Sequence, residues 1–183
     1  MARDWSQTSE LWTTPLTIGV VSDTHIYPEP YERSLPRVLL DELAKANVEL
    51  ILHAGDIFAP RVLDQLDEIA PVLAVIGNGD AADMRGLLPR SRVVIVGGHH
   101  IGLVHGHEGT GRTTPARARG TFADNPYVRC IVFGHSHQAS SRLEDEIILF
   151  NPGSPTDKRR APYYSFGILR VAATIEPELV YFL

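Results

Sequence analysis

Five short polar motifs each follow an apolar run: Asp23-Thr24-His25, Gly55-Asp56, Gly77-Asn78-Gly79-Asp80, His105-Gly106-His107 and Gly134-His135-Ser136-His137. Together they offer carboxylate, amide and imidazole. Divalent Mn, Fe, Zn and Ni accept that mixture, whereas Mg and Ca favour oxygen-rich shells. Asp23 and His25, like His135 and His137, are two residues apart, so each pair shares one side of an extended chain. Gly55 permits a sharp turn before Asp56, whose two oxygens could serve two cations. Asn78 adds a neutral oxygen at no cost in charge. Two divalent ions bring four positive charges. Asp23 and Asp56 offset two and a bridging hydroxide a third, leaving a positive centre suited to phosphate oxygens. Paired ions stand roughly 3.5–4 Å apart and activate a water near neutral pH, the chemistry of in-line attack on phosphorus.

These residues need a frame that brings them together. Residues 16–22 read as a buried strand, Pro36 to Asn47 as a helix, Val48 to Leu52 as a strand, Pro60 to Ile69 as an amphipathic helix and Pro71 to Ile76 as a third strand. This alternation predicts parallel strands with right-handed crossovers. Asp23, Asp56 and Asn78 then fall at strand carboxyl ends, where open α/β sheets build ligand crevices. Val93–Val96 and His100–Val104 flank Gly97-Gly98 as a hairpin, and 113–124 reads as a helix. Val128–Phe133, Ala139–Leu143, Ile147–Phe150, Tyr164–Val171 and Thr174–Phe182 read as further, mostly antiparallel strands. The expected fold class is α/β, a two-sheet β-sandwich flanked by helices. Residues 1–15 are set apart as an N-terminal extension from a domain over 16–183.

The chain has 183 residues, 44% of them hydrophobic and 21% charged, with a net charge of −5. That suits one soluble domain. Without a basic tract, a large nucleic-acid footprint is not expected. No apolar run approaches a membrane span, and the polar leading segment is not a secretory signal. With Cys130 as the lone cysteine, the expected location is the cytoplasm.

The motifs and their order resemble the calcineurin-like metallophosphoesterase superfamily, from about Leu16 to the C-terminus. Within it, the chain resembles the small single-domain bacterial and archaeal phosphodiesterases, a branch that includes the retromer subunit of the same fold. His53-Ala54-Gly55-Asp56 and Asn151-Pro152-Gly153-Ser154 also belong to the pattern. The resemblance implies one metal held by Asp23, His25, Asp56 and His137, and another by Asp56, Asn78, His105 and His135, with Asp56 as the bridge. It implies hydrolysis of a small phosphoester, a diester by preference, by a metal-bridging hydroxide. Asp56, Asn78 and His107 would be the catalytic residues. Manganese leads as the metal, with iron, nickel or zinc as alternatives, and a homo-oligomer is compatible. Many family phosphatases carry His after the Asn of the third motif, and the small phosphodiesterases often carry Cys. Here that position is Gly79. A general acid contributes roughly 10²–10⁴-fold, so poor leaving groups should suffer most, unless His107, Asp80 or a water substitutes. The rival readings are a protein-interaction scaffold with little turnover, and a phosphomonoesterase or nucleotide hydrolase.

Other residues have plainer readings. His53 suits a hydrogen-bonded core position, and His99 and His100 suit an exposed hairpin. Cys130 suits a buried apolar position, and Asn151-Pro152-Gly153-Ser154 suits a supporting turn. Arg112, Arg117 and Arg119 fit a solvated helix face or a guide for phosphate. Trp5 and Trp12 could dock on the core or on a partner.

Overall fold

The computed structural model describes residues 11–28 and 34–183. In chain order the strands are β1 (Leu11–Trp12), β2 (Leu16–Val21), β3 (Leu50–His53), β4 (Val72–Ala74), β5 (Ser91–Val96), β6 (His99–Val104), β7 (Val128–Val132), β8 (Ser140–Glu144), β9 (Ile147–Asn151), β10 (Tyr164–Val171) and β11 (Ile175–Phe182). The helices are α1 (Arg37–Lys45), α2 (Arg61–Asp67), α3 (Ala82–Arg85) and α4 (Thr114–Thr121). One sheet runs β11-β10-β2-β3-β4 and the other β1-β5-β6-β7-β9-β8.

Strand alternation builds the layers. Ile18, Val20, Leu50, Leu52 and Leu73 face Ile101, Leu103, Cys130, Val132 and Phe150 across the space between the sheets. Val21, Ile51, Val72 and Ala74 point the other way, onto Leu39 and Leu43 of α1 and Leu63 and Leu66 of α2. Ile131, Phe133 and Leu149 cover the outer face of the second sheet, with Ala118 of α4 and Phe122. Period-two patterning therefore produces a sandwich with helices on both outer faces. Each helix boundary has a local cause. Pro36 and Pro60 stand just before the first turns of α1 and α2, and the Thr113 hydroxyl caps α4 by accepting from the Ala116 amide at 3.3 Å. Asn47 ends α1 in the left-handed conformation (φ 51°).

β2 with β3, and β3 with β4, are parallel, as the alternating pattern predicts. In the second half β5–β6, β8–β9 and β10–β11 are antiparallel, but β7 runs parallel to both β6 and β9. The ends of β2, β3, β4, β6 and β7 consequently reach one rim of the sandwich. Leu11 and Trp12 pair in parallel with Ile95 and Val96, and Trp12 packs on the core between the sheets. Trp5 lies outside the described residues. His99 and His100 are half-buried at the start of β6 rather than exposed in the turn: His99 Nε2 meets the Ala172 carbonyl at 3.0 Å and His100 packs against Tyr127. Cys130 is fully buried, and burial pushes its thiol up to about 12. Among the described residues no helix is long and apolar enough to cross a membrane.

Candidate metal centre

Asp23 leaves β2, and its amide donates to the Gly55 carbonyl (3.0 Å), while the His25 amide donates to that of Asp56 (3.1 Å). The loops after β2 and β3 are thus stitched together by backbone. The loop after β7 joins them through the His135 amide, which donates to Asp23 Oδ2 at 2.9 Å. Asp23, His25, Asp56, His135 and His137 all have positive φ, between 46° and 68°. Asp and His tolerate this region better than most residues, yet each such conformation is held by its surroundings.

Two donor groups result. Asp23, His25 and His137 offer ligand atoms within 4.8 Å of one another, and so do Asp23, Asp56 and His105. Asp56 Oδ2 lies 3.2 Å from His25 Nε2, while its Oδ1 lies 3.4 Å from His105 Nε2. The two groups share Asp23, while Asp56 turns one oxygen to a histidine of each, the posture a bridge requires.

Tautomers sharpen the picture. His105 Nδ1 donates to the Ala54 carbonyl at 2.7 Å, and His137 Nδ1 donates to that of Asp157. Each Nε2 is then left with a lone pair, buried and without a hydrogen-bond partner. Each nevertheless faces a carboxylate oxygen at 3.4 Å, His105 toward Asp56 and His137 toward Asp23. A lone pair against a carboxylate is repulsive unless a positive charge stands between them. A proton on Nε2 or a bound cation would supply that charge, and the surroundings of His105 call for one. Burial opposes protonation of His105, but Asp56 and Asp23 outweigh it and raise its pKa. Burial opposes ionisation of Asp56 too, yet His105, His25 and the Gly79 amide hold its carboxyl far below the usual range. Asp23 is raised by burial, against the pull of His105, His137 and the Ser22 hydroxyl. The donors fit a divalent metal, with imidazole nitrogens oriented by carbonyls behind them.

His135 and Asn78 stand at the edge of this cluster. The His135 ring is 5.2 Å from that of His105, and burial, His105 and Arg117 lower its pKa to about 4, which keeps the imidazole neutral. Asn78 is exposed; the amide of its neighbour Gly79 donates to Asp56 Oδ1 at 2.7 Å. His107 belongs to neither donor group and lies with Asn78 along a small cavity.

Several supporting residues differ from expectation or escaped it. Asp80 is no general acid: its buried carboxylate accepts from the amides of Asp56, Ile57, Phe58 and Gly77 at 2.7–3.1 Å. A Cβ on Gly79 would lie 2.4 Å from the Phe58 ring. That ring fills the slot and stacks on His25, with centroids 4.5 Å apart. Arg117 is not on a free helix face; it donates to the carbonyls of Gly106 and Gly111 and holds the loop after His105. Arg119 pairs with Asp145. His53 is the buried core residue expected. It accepts from Gly55 at Nδ1 and meets Thr24 Oγ1 at Nε2, and burial lowers its pKa to about 3. The 151–154 turn is supportive: Asn151 donates to the Gly134 carbonyl (2.9 Å) and Ser154 to that of Asp23 (2.7 Å). Phe58 and Asp157, which has Oδ2 3.5 Å from His25 Nδ1, carried no signal in sequence, because nothing in their spacing links them to a distant histidine.

The chain belongs to the calcineurin-like phosphoesterase superfamily, whose domain profile matches residues 16–174. Over 165 residues it is 35% identical to a probable metallophosphoesterase of Methanocaldococcus jannaschii, covering 90% of this chain and 81% of that relative. Its fold is similar to that of an archaeal phosphodiesterase, with TM-score 0.70 and 19% identity over 91% of this chain and all of the other. It is also similar to Vps29 of Entamoeba histolytica complexed with zinc, with TM-score 0.68 and 23% identity over 92% of this chain and all of the other.

Proposed function

We propose that the chain is a phosphodiesterase working at a dinuclear centre, with manganese as its leading metal and a small phosphodiester as substrate. The observation that carries this is the pair of imidazole nitrogens, His105 Nε2 and His137 Nε2, buried without a hydrogen-bond partner and aimed at buried carboxylates. Asp23, His25, Asp56 and His137 would hold one cation, and Asp56, Asn78, His105 and His135 the other. Two bound cations supply Lewis acidity and a water activated near neutral pH. The chain's own groups do the rest. Asp23 and Asp56 leave the centre net positive toward phosphate, and Asn78 and His107 line its open side. Phe58 fills the slot beside Gly79, so no side chain there can protonate a leaving group. Substrates that depart without help are favoured accordingly. The buried lone cysteine fits a cytoplasmic enzyme.

The test is hydrolysis of a chromogenic phosphodiester with manganese, set against an alkyl phosphomonoester. The diester should turn over faster, and a chelator should abolish the activity. Asp56→Asn should weaken both metal positions together. Equal turnover of the two esters, or near-native turnover in the variant with metal still stoichiometric, would count against the proposal. The likeness to Vps29 keeps the scaffold reading as the rival, and that reading expects little hydrolysis with any metal.

A further inference from the structure

Beside the carboxylate–imidazole cluster lies a cavity of about 190 Å³, lined by Asn78, Arg85, Arg90, His107 and Glu108 over Leu88. It adjoins the centre, since the His107 ring is 5.3 Å from that of His105 and 6.2 Å from that of His135. Arg85 is positioned from behind. It donates through Nε to the Asp80 carbonyl (3.3 Å) and through Nη2 to the Asn78 carbonyl (3.2 Å). Arg90 Nη1 is paired with Glu108 Oε1, and both side chains are well exposed. Two guanidinium groups against one carboxylate leave the cavity net positive. A planar guanidinium matches phosphate oxygens two at a time. Exposed ion pairs are worth little, so an incoming anion displaces Glu108 from Arg90 at small cost.

We propose that this cavity receives a second phosphate of the substrate while the reacting phosphate sits over the metal centre. The preferred substrate is then a small phosphodiester with a further phosphate on the part retained after cleavage. This rests on the phosphodiesterase reading above and specifies its substrate class. Glu108 acts as a stand-in anion that holds Arg90 in place until the substrate arrives.

The test uses a matched pair of chromogenic probes, thymidine 5′-(p-nitrophenyl phosphate) with and without a 3′-phosphate, on the manganese-loaded protein. The 3′-phosphorylated probe should be preferred by at least about tenfold in kcat/KM, chiefly through KM. Arg90→Met should reduce that ratio, and Glu108→Gln, which frees Arg90, should increase it. Calorimetric binding of thymidine 3′,5′-bisphosphate against thymidine 5′-phosphate should show the same order across the three proteins. Equal handling of both probes, or variants that leave the ratio unchanged, would overturn the proposal. If neither probe is hydrolysed the phosphodiesterase reading fails, and the calorimetric ratios still decide the role of the cavity.

Discussion

Asp80 accepts from four backbone amides, three of them in the loop that carries Asp56. Its place is that of a fastener between the loops after β3 and β4. Asp80→Asn keeps the shape but turns an NH2 group toward two of those amides. Leaving buried donors unpaired costs roughly 1–3 kcal/mol each. The variant should lose at least about 2 kcal/mol of stability in a denaturant titration, and manganese affinity should fall with it. Unchanged stability would mean that the loops are held by something else. Gly79 teaches the complementary lesson. The missing side chain at that position looks in sequence like a gap in the chemistry, but in three dimensions the space belongs to Phe58.

Among elements, the carboxyl ends of β2 and β7 approach closely enough to exclude a methyl group. A Cβ on Gly134 would lie 1.8 Å from Ser22 Oγ and 2.6 Å from Asp23 Oδ2. Gly134→Ala should push the His135–His137 loop away from Asp23. We expect a loss of roughly 1–3 kcal/mol by overpacking and a marked drop in metal affinity by calorimetry; native affinity would show that the loop adjusts freely. The long strands and helices were legible in sequence, because β-branched runs, helical spacing and the prolines before α1 and α2 all agreed. β10 coincides with its predicted range. What escaped was short or non-local. β1 has two residues and α3 has four, too few to show a period. The parallel pairing of β7 with β6 and β9 depends on sheet order, which no local pattern encodes. The candidate ligands were legible because polar residues directly after buried strands stand out. Asp157 and Phe58 were not, and Asp80 stood out in its motif without its fastening role, since these roles exist only once distant loops meet.

For the molecule as a whole, a cation that binds only the folded chain must stabilise it. At free metal near 100 times its Kd the gain is about 2.7 kcal/mol, which for a domain of this size raises Tm by roughly 5–10 °C. Scanning calorimetry with manganese, iron, nickel or zinc, then with excess chelator, should show that rise and its reversal. The absence of a rise with all four would remove the metal centre from consideration. The left-handed backbone at Asp23, His25, Asp56, His135 and His137 bears on the choice between catalyst and scaffold. Glycine at those corners would relieve about 1 kcal/mol apiece, yet at Asp23 and Asp56 it would also remove the oxygens that accept from the His135 and Gly79 amides. On the proposed reading the five side chains are kept for the cations they would hold, at the expense of backbone ease, whereas a scaffold needs only the two carboxylates that tie the loops together.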